Sequence, residues 1–370
     1  MGTPIISADS HVTEPPNTYV DHIDPAFRDR APYMTRDDAR GDLFVIPGMS
    51  KPIPMGLIAA AGKDASELTV FGADFDKLHR GGWDPDARLL DQDTDGVSAE
   101  IIYPSVGMML CNHPDFDYKH ACFDAYNRWL STYCGAHPDR LLGIGQTALR
   151  SVEEGIDDLR HIEEAGFHGV MMPGNPAVED YDSPVYDPLW EAAVDLGLPL
   201  SFHILTSGQD NFRTRGPKLN SFLGIIRGCQ DILGTFIYSG VFERHPKLKV
   251  VCVEADAGWV PHYMYRMDHA YSRHRNWLTG SELSKAPSEY FRENIYVTFQ
   301  DDWVAFQVLD LCNPRRIMWA NDFPHSDSTW PRSQEVLHEH TKHLSEEQRG
   351  WILHDNVVEL YDLDRKFATV

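Results

Sequence analysis

Five side chains in this 370-residue sequence could do chemistry together: Asp9, His11, His203, Glu254 and Asp322. Each closes or follows a short apolar run (Ile5–Ala8, Pro199–His203, Lys249–Glu254, Ile317–Ala320) that otherwise has no use for a charge or an imidazole. Asp9 and His11 are two residues apart, and positions i and i+2 of a strand project from one face, so both can reach one ion. Imidazole and carboxylate together suit Zn²⁺ first, with Mn²⁺ or Fe²⁺ as alternatives. Three or four such ligands leave a position for water, whose pKa the ion lowers toward ~7 while it polarises a bound carbonyl or carboxylate. The expected centre is one divalent ion held by Asp9, His11, His203 and Asp322. Singly, each residue has a plainer explanation. His203 would pass for a core histidine, Asp322 for a helix cap, and Glu254 for the partner of a barrel arginine. The coincidence at several strand ends is the signal, because polar groups are costly to bury without a shared purpose.

The elements that must position these residues follow from the same runs. Eight are present: the four above, and Ala99–Tyr103, Leu141–Gly145, Gly169–Met172 and Ile295–Phe299. Runs of four to six apolar residues followed by turn residues read as strands buried on both faces. Helix-like stretches separate them: Phe116–Ala136, Ser151–Ala165 with a capping box, Asp187–Leu196, Leu219–Phe242 and Val304–Leu311. Strand-helix alternation over eight strands predicts an α/β fold, a (β/α)8 TIM barrel, ahead of an open doubly wound sheet. One connection is abnormal. More than eighty residues rich in Pro, Gly and Asp join the first two strands, and Asp42–Pro54 could form a hairpin there. The chain is expected to be one domain, 1–370, with 28–85 an insertion over the barrel mouth that serves as a substrate cap or, alternatively, in assembly.

Further pocket candidates are His325, just past the eighth run, Tyr103 at the end of the second, Asp302 after the seventh, and Trp259. Arg213, Arg215 and Lys218 after the fifth could clamp a carboxylate or simply belong to a solvated loop. Trp330 could add an apolar wall, whereas Trp319 suits core packing.

Composition narrows the partners. Net charge is 33 − 56 = −23, which disfavours nucleic acid and anionic membrane surfaces. The six cysteines form no CxxC pair, so buried free thiols are expected rather than a disulfide framework. No signal peptide and no run of ~18 apolar residues is evident, so the cytoplasm is the expected compartment and a small molecule the expected substrate.

The motifs ADSHVTEP, DQDTDGVSAEIIYPS, GFHGVMMPGNP, LPLSFH, FERHPKLKVVCVEADAGWVP, RIMWANDFPHSDSTWP and HDNVVELYDLD span almost the whole chain. Together they resemble the amidohydrolase superfamily, in the amidohydrolase-related (amidohydrolase 2) branch that includes aminocarboxymuconate semialdehyde decarboxylase. The resemblance implies that His11 and His203 are metal ligands, that Asp322 is a ligand able to act as general acid or base, and that the protein forms homodimers or higher homo-oligomers. It also brings two departures. Asp9 stands where the family's first strand-one histidine is usual, though acidic residues occur there in some relatives. Glu254 stands where the decarboxylases carry a strand-six histidine. Where binuclear relatives have a bridging lysine, strand four ends in Met171 and Met172, which implies a single ion.

Metal-dependent hydrolysis is therefore placed first: activated water attacks a carbonyl-type substrate, with Asp322, Glu254 and His203 as the catalytic group and His325, Tyr103, Asp302, Arg215 and Trp259 around the substrate. Non-oxidative decarboxylation of an aromatic or unsaturated acid comes second, because Glu254 replaces the histidine. A non-catalytic ligand-binding barrel comes third, and an intact ligand set argues against it.

Overall fold

The computed structural model describes residues 4–208 and 216–363. Eight parallel strands form the barrel: β1 (Ile6–His11), β5 (Ala99–Tyr103), β6 (Leu141–Gln146), β7 (Gly169–Met171), β8 (Leu200–His203), β9 (Val250–Val253), β10 (Ile295–Phe299) and β11 (Ile317–Trp319). They are hydrogen-bonded in that order, and every residue in all eight is buried. A strand packed against the barrel interior on one side and helices on the other has no solvent face. This is why the sequence shows apolar runs here instead of alternation.

The barrel closes between β1 and β11. The Asp322 amide donates to the Asp9 carbonyl at 3.1 Å, and the His11 amide donates to the Phe323 carbonyl at 2.7 Å. The register of β1 against β5 slips between Ser7 and Ser10. The extra residue lets Ser7 and Ser10, three apart, reach the same acceptor. Their hydroxyls lie 3.0 and 2.9 Å from Asn321 Oδ1. Asn321 also donates to Asp95 at 3.2 Å and receives the Phe323 amide at 3.2 Å. One buried amide thus ties together the first strand, the last strand and the helix Pro85–Asp95.

Helices follow the expected pattern with three differences. Ser151 caps Val152–Glu164 by accepting the Glu154 amide, but the Glu154 carboxylate turns to Arg150 and does not complete a capping box. The single helix expected over Leu219–Phe242 is a 3₁₀ turn (Lys218–Gly224) followed by helices Arg227–Tyr238 and Val241–Arg244, broken at Gly240 with φ +72°. The stretch Val304–Leu311 likewise divides into Trp303–Gln307 and a 3₁₀ turn, Leu309–Leu311.

The insertion contains more than a hairpin. Strands β2 (Tyr33–Asp37), β3 (Gly41–Val45) and β4 (Ile53–Pro54) make a three-stranded antiparallel sheet. The chain that follows is laid on the loop after β11, with the Ser326 amide donating to Leu57 at 2.9 Å and the Ala61 amide donating to Pro324 at 3.0 Å. Its apolar residues Ile53, Leu57 and Ile58 face the barrel mouth. All six cysteines are buried and free. No helix among the described residues is long and apolar enough to cross a membrane.

Asn321→Ala removes one buried hub and leaves Ser7, Ser10 and Asp95 each short of a partner. It is expected to destabilise the protein by roughly 2–3 kcal/mol, read as a lower urea midpoint with an unchanged slope. A midpoint equal to that of the wild type would show that the seam does not depend on this amide.

Candidate metal centre

Asp9 and His11 at the end of β1, His203 ending β8, Glu254 directly after β9 and Asp322 after β11 converge at the C-terminal mouth of the barrel, the face where catalytic groups of this architecture gather. His11 Nε2 lies 3.4 Å from Asp9 Oδ1, 3.4 Å from Asp322 Oδ1 and 3.6 Å from Glu254 Oε2. His203 Nε2 lies 3.6 Å from Asp9 Oδ1 and 3.3 Å from Glu254 Oε2. Glu254 and Asp322 have φ of +56° and +53°, a region that side-chain-bearing residues enter at a cost and that is concentrated at functional sites.

The donor set fits a cation. The two Asp9 oxygens, the two Asp322 oxygens, His11 Nε2 and His203 Nε2 are all buried and have no hydrogen-bond partner. Buried carboxylates without partners are strongly disfavoured unless a positive charge joins them. The outer nitrogens complete the pattern. His11 Nδ1 donates to the Pro104 carbonyl at 2.9 Å and His203 Nδ1 to the Ile204 carbonyl at 3.1 Å, which turns both Nε2 lone pairs inward. Burial works against the Asp9 carboxylate, but the adjacent His11 and His203 imidazoles outweigh it and hold its pKa well below the usual value. Burial likewise opposes the His11 cation, yet Asp9, Glu254 and Asp322 raise its pKa well above that of free histidine. Burial, reinforced by neighbouring carboxylates, raises Glu254 and pushes Asp322 far upward.

His325 stacks on His11 with ring centroids 3.9 Å apart, its Nδ1 3.0 Å from Asp322 Oδ1 and its Nε2 2.9 Å from Ser105 Oγ. Burial and the nearby His11 depress its pKa to about 3, so it is neutral across the ordinary range. A cavity of about 570 Å³ opens over Glu254, Asp322 and His325. Its walls are mostly aliphatic: Ile58 from the insertion, Met108 and Met109 after β5, and Ile204, Leu205 and Ile226 around β8. No arginine or lysine lines it among the described residues.

Other sequence candidates lie elsewhere. Tyr103 is fully buried beneath the cluster, its hydroxyl 2.9 Å from Ser201, and is not part of the cavity wall. The Asp302 carboxylate accepts the backbone amides of Ala257, Gly258, Val304 and Ala305, which occupies it structurally. Trp259 packs on Tyr263 and Phe291 and donates to the Ala255 carbonyl. Lys218 is exposed on its 3₁₀ turn, and Arg213 and Arg215 lie outside the described residues. Trp319 is fully buried, and Trp330 packs edge-on against His79 and at a tilt against Phe323 instead of facing the cavity. Glu254 has no arginine partner among its described ion pairs; both approaching groups are imidazoles. A separate trio of His120, Asp124 and Asp158 on the outer helices is partly exposed and tied to Arg128 and Thr147.

Three polar residues, Glu14, Ser105 and Arg88, escaped the sequence reading although they stand in or beside its motifs. Glu14 is fully buried and accepts the amides of Ser105, Val106 and Gly107 at 3.0–3.1 Å, fixing the loop that carries Ser105. Arg88 is a fully buried cation paired with Glu100. No spacing rule marks any of them, because their partners are backbone groups and residues distant in sequence.

The profile of the amidohydrolase family matches residues 9–363. A 2-amino-3-carboxymuconate-6-semialdehyde decarboxylase of Dictyostelium discoideum is 26% identical over 315 residues, covering 81% of this chain and 82% of that protein. Among solved structures, an amidohydrolase of Mycobacterium avium subsp. paratuberculosis superposes with a TM-score of 0.79 at 21% identity, over 98% of this chain and 100% of that one. A 5-carboxyvanillate decarboxylase of Novosphingobium aromaticivorans, complexed with manganese and 4-hydroxy-3-methoxy-5-nitrobenzoic acid, gives a TM-score of 0.72 at 19% identity, over 98% and 96% of the two chains.

Two outcomes follow from the cluster. His203→Ala should bind its metal at least ~10-fold more weakly than the wild type, measured by elemental analysis after dialysis against a graded chelator; equal retention would remove His203 from the ligand set. Metal binding should also release protons near neutral pH, because His11 has a raised pKa and must lose its Nε2 proton to ligate. Affinity should therefore fall as pH drops through that raised value, while Asp9, already depressed, adds nothing until far lower pH. Calorimetry in buffers of different ionisation enthalpy counts the protons, and a count of zero at pH 7 would contradict this electrostatic account.

Proposed function

The chain belongs to the amidohydrolase family, and on that premise we propose that it decarboxylates a small aromatic or unsaturated carboxylic acid without oxidation, using one divalent ion. The carrying observation is Asp322, a buried carboxyl within the donor cluster that opens directly onto an aliphatic cavity. The similar proteins named as decarboxylases support this choice over the hydrolysis that the sequence placed first. That ranking rested on Glu254 in place of a histidine. Glu254 lies within 3.3 Å of His203 Nε2 and 3.6 Å of His11 Nε2 and joins the same donor cluster, so its presence does not count against decarboxylation.

A bound ion would neutralise the substrate carboxylate and withdraw electron density from the unsaturated system. Asp9, His11, His203 and Asp322 would hold it, with Glu254 as a further oxygen donor. This oxygen-rich set moves the preference from zinc toward manganese. Asp322 supplies the proton, since a carboxyl can ligate through one oxygen and carry a proton on the other. Transfer from its carboxyl to the carbon bearing the substrate carboxylate makes the new C–H bond. The electrons of the C–CO₂ bond then restore the unsaturated system as CO₂ leaves, and the balance is one acid anion and one proton giving one hydrocarbon-type product and one CO₂. His325, neutral and 3.0 Å from Asp322, stands beside that carboxyl without carrying a competing charge. The aliphatic walls take up a planar apolar body. We further propose that Ile53, Leu57 and Ile58 of the insertion form a cap that excludes water from the proton transfer.

Manganese-loaded protein offered hydroxybenzoates and short unsaturated acids should release CO₂, and Asp322→Asn should cut the rate by about 10²–10⁴. Absence of CO₂ from every acid, together with ¹⁸O incorporation from water into esters, lactones or amides, would replace decarboxylation with hydrolysis.

A further inference from the structure

Arg88 lies on the helix Pro85–Asp95, outside the barrel and not among the residues lining the cavity, yet it is completely buried. Its Nε meets Glu100 Oε2 at 2.5 Å, and Glu100 points outward from β5 toward that helix. Its Nη1 donates to the carbonyl of His11 at 2.7 Å, and Nη2 reaches the carbonyl of Phe323 at 3.4 Å. The guanidinium also stacks over the Phe323 ring at 4.6 Å. The two carbonyls belong to His11 itself and to the residue after Asp322. They sit at the seam where the His11 amide donates to Phe323 and the Asp322 amide to Asp9.

We propose that Arg88 is a positioning residue for the metal centre: its forked donors lock the ends of β1 and β11 so that Asp9, His11 and Asp322 stand at ligating distance. The inference rests on the reading of the cluster as a metal site. A need for stability alone does not explain this geometry, since buried ion pairs can often be replaced by apolar residues of similar volume without loss. Only the fork does something an apolar pair would not, which is to bind two neighbouring carbonyls at fixed separation. The seam can use such a brace: among the described residues, β1 and the chain just after β11 share the two backbone bonds given above, and the Asp9 and Asp322 carboxyl groups crowd the same point.

The test is the Mn²⁺ dissociation constant, measured by titration at fixed pH, alongside thermal unfolding of the same metal-free samples. Arg88→Lys keeps the charge beside Glu100 but loses the fork. It should fold, with at least ~10-fold weaker binding. The double variant R88M/E100L removes the ion pair as a unit. Gln92 Nε2 keeps the Arg140 carbonyl and Asn321 Nδ2 keeps Asp95, so neither is orphaned. It should also bind Mn²⁺ at least ~10-fold more weakly while unfolding near the wild-type temperature. Wild-type affinity in R88K, whatever its thermal stability, would overturn the proposal, and so would wild-type affinity in a folded double variant. If the double variant does not fold, R88K decides alone. Wild-type protein that takes up no Mn²⁺ would instead sink the metal centre itself, and this role with it.

Discussion

Unneutralised negative charge at the mouth of the barrel is the constraint on which the rest of the structure depends. Asp9, Glu254 and Asp322 meet around two imidazoles, and most of their polar atoms are sealed from water with no hydrogen-bond partner. Such a cluster is held together only if something positive joins it and if the backbone cannot relax away. The first condition points to a cation. The second explains features that otherwise look unrelated: left-handed backbone at Glu254 and Asp322, Nδ1 atoms tethered to carbonyls, and a dense polar seam behind β1 and β11.

That seam deserves its polar character. A barrel must close, and here closure falls between the strands that carry Asp9, His11 and Asp322. A purely apolar contact would leave register to packing alone. Ser7, Ser10, Asn321, Asp95 and the Arg88–Glu100 pair impose it through directional bonds. The slip in β1 is part of the same design, because it lets two serines share one amide while Asp9 and His11 still face the centre.

Chemistry then divides by surface. Where the cluster converges the site is all ligand-type atoms; toward the cavity it is mostly aliphatic, with Asp322 and His325 at the boundary. A proton held on carboxyl oxygen beside an apolar cavity is suited to transfer onto carbon, where a solvated acid would be levelled by water. Glu254 illustrates the limit of reading by substitution. As a letter replacing histidine it argued against decarboxylation; in space it is one more oxygen beside His11 and His203.

Sequence alone determined the architecture and the identity of the cluster. The eight strands appear as apolar runs because both faces of each are buried. Their polar termini are conspicuous because each carboxylate or imidazole follows a run that could not otherwise tolerate it. Tyr103, Asp302 and Trp259 end or follow strands much as His325 does, yet the fold turned one beneath the centre and gave the others to backbone amides and packing. Glu14, Ser105 and Arg88 were invisible in sequence because they act on backbone atoms or residues up to 235 positions away. Periodicity reports which way a side chain faces. What it meets there is set by closure of the barrel, and that only the tertiary structure decided.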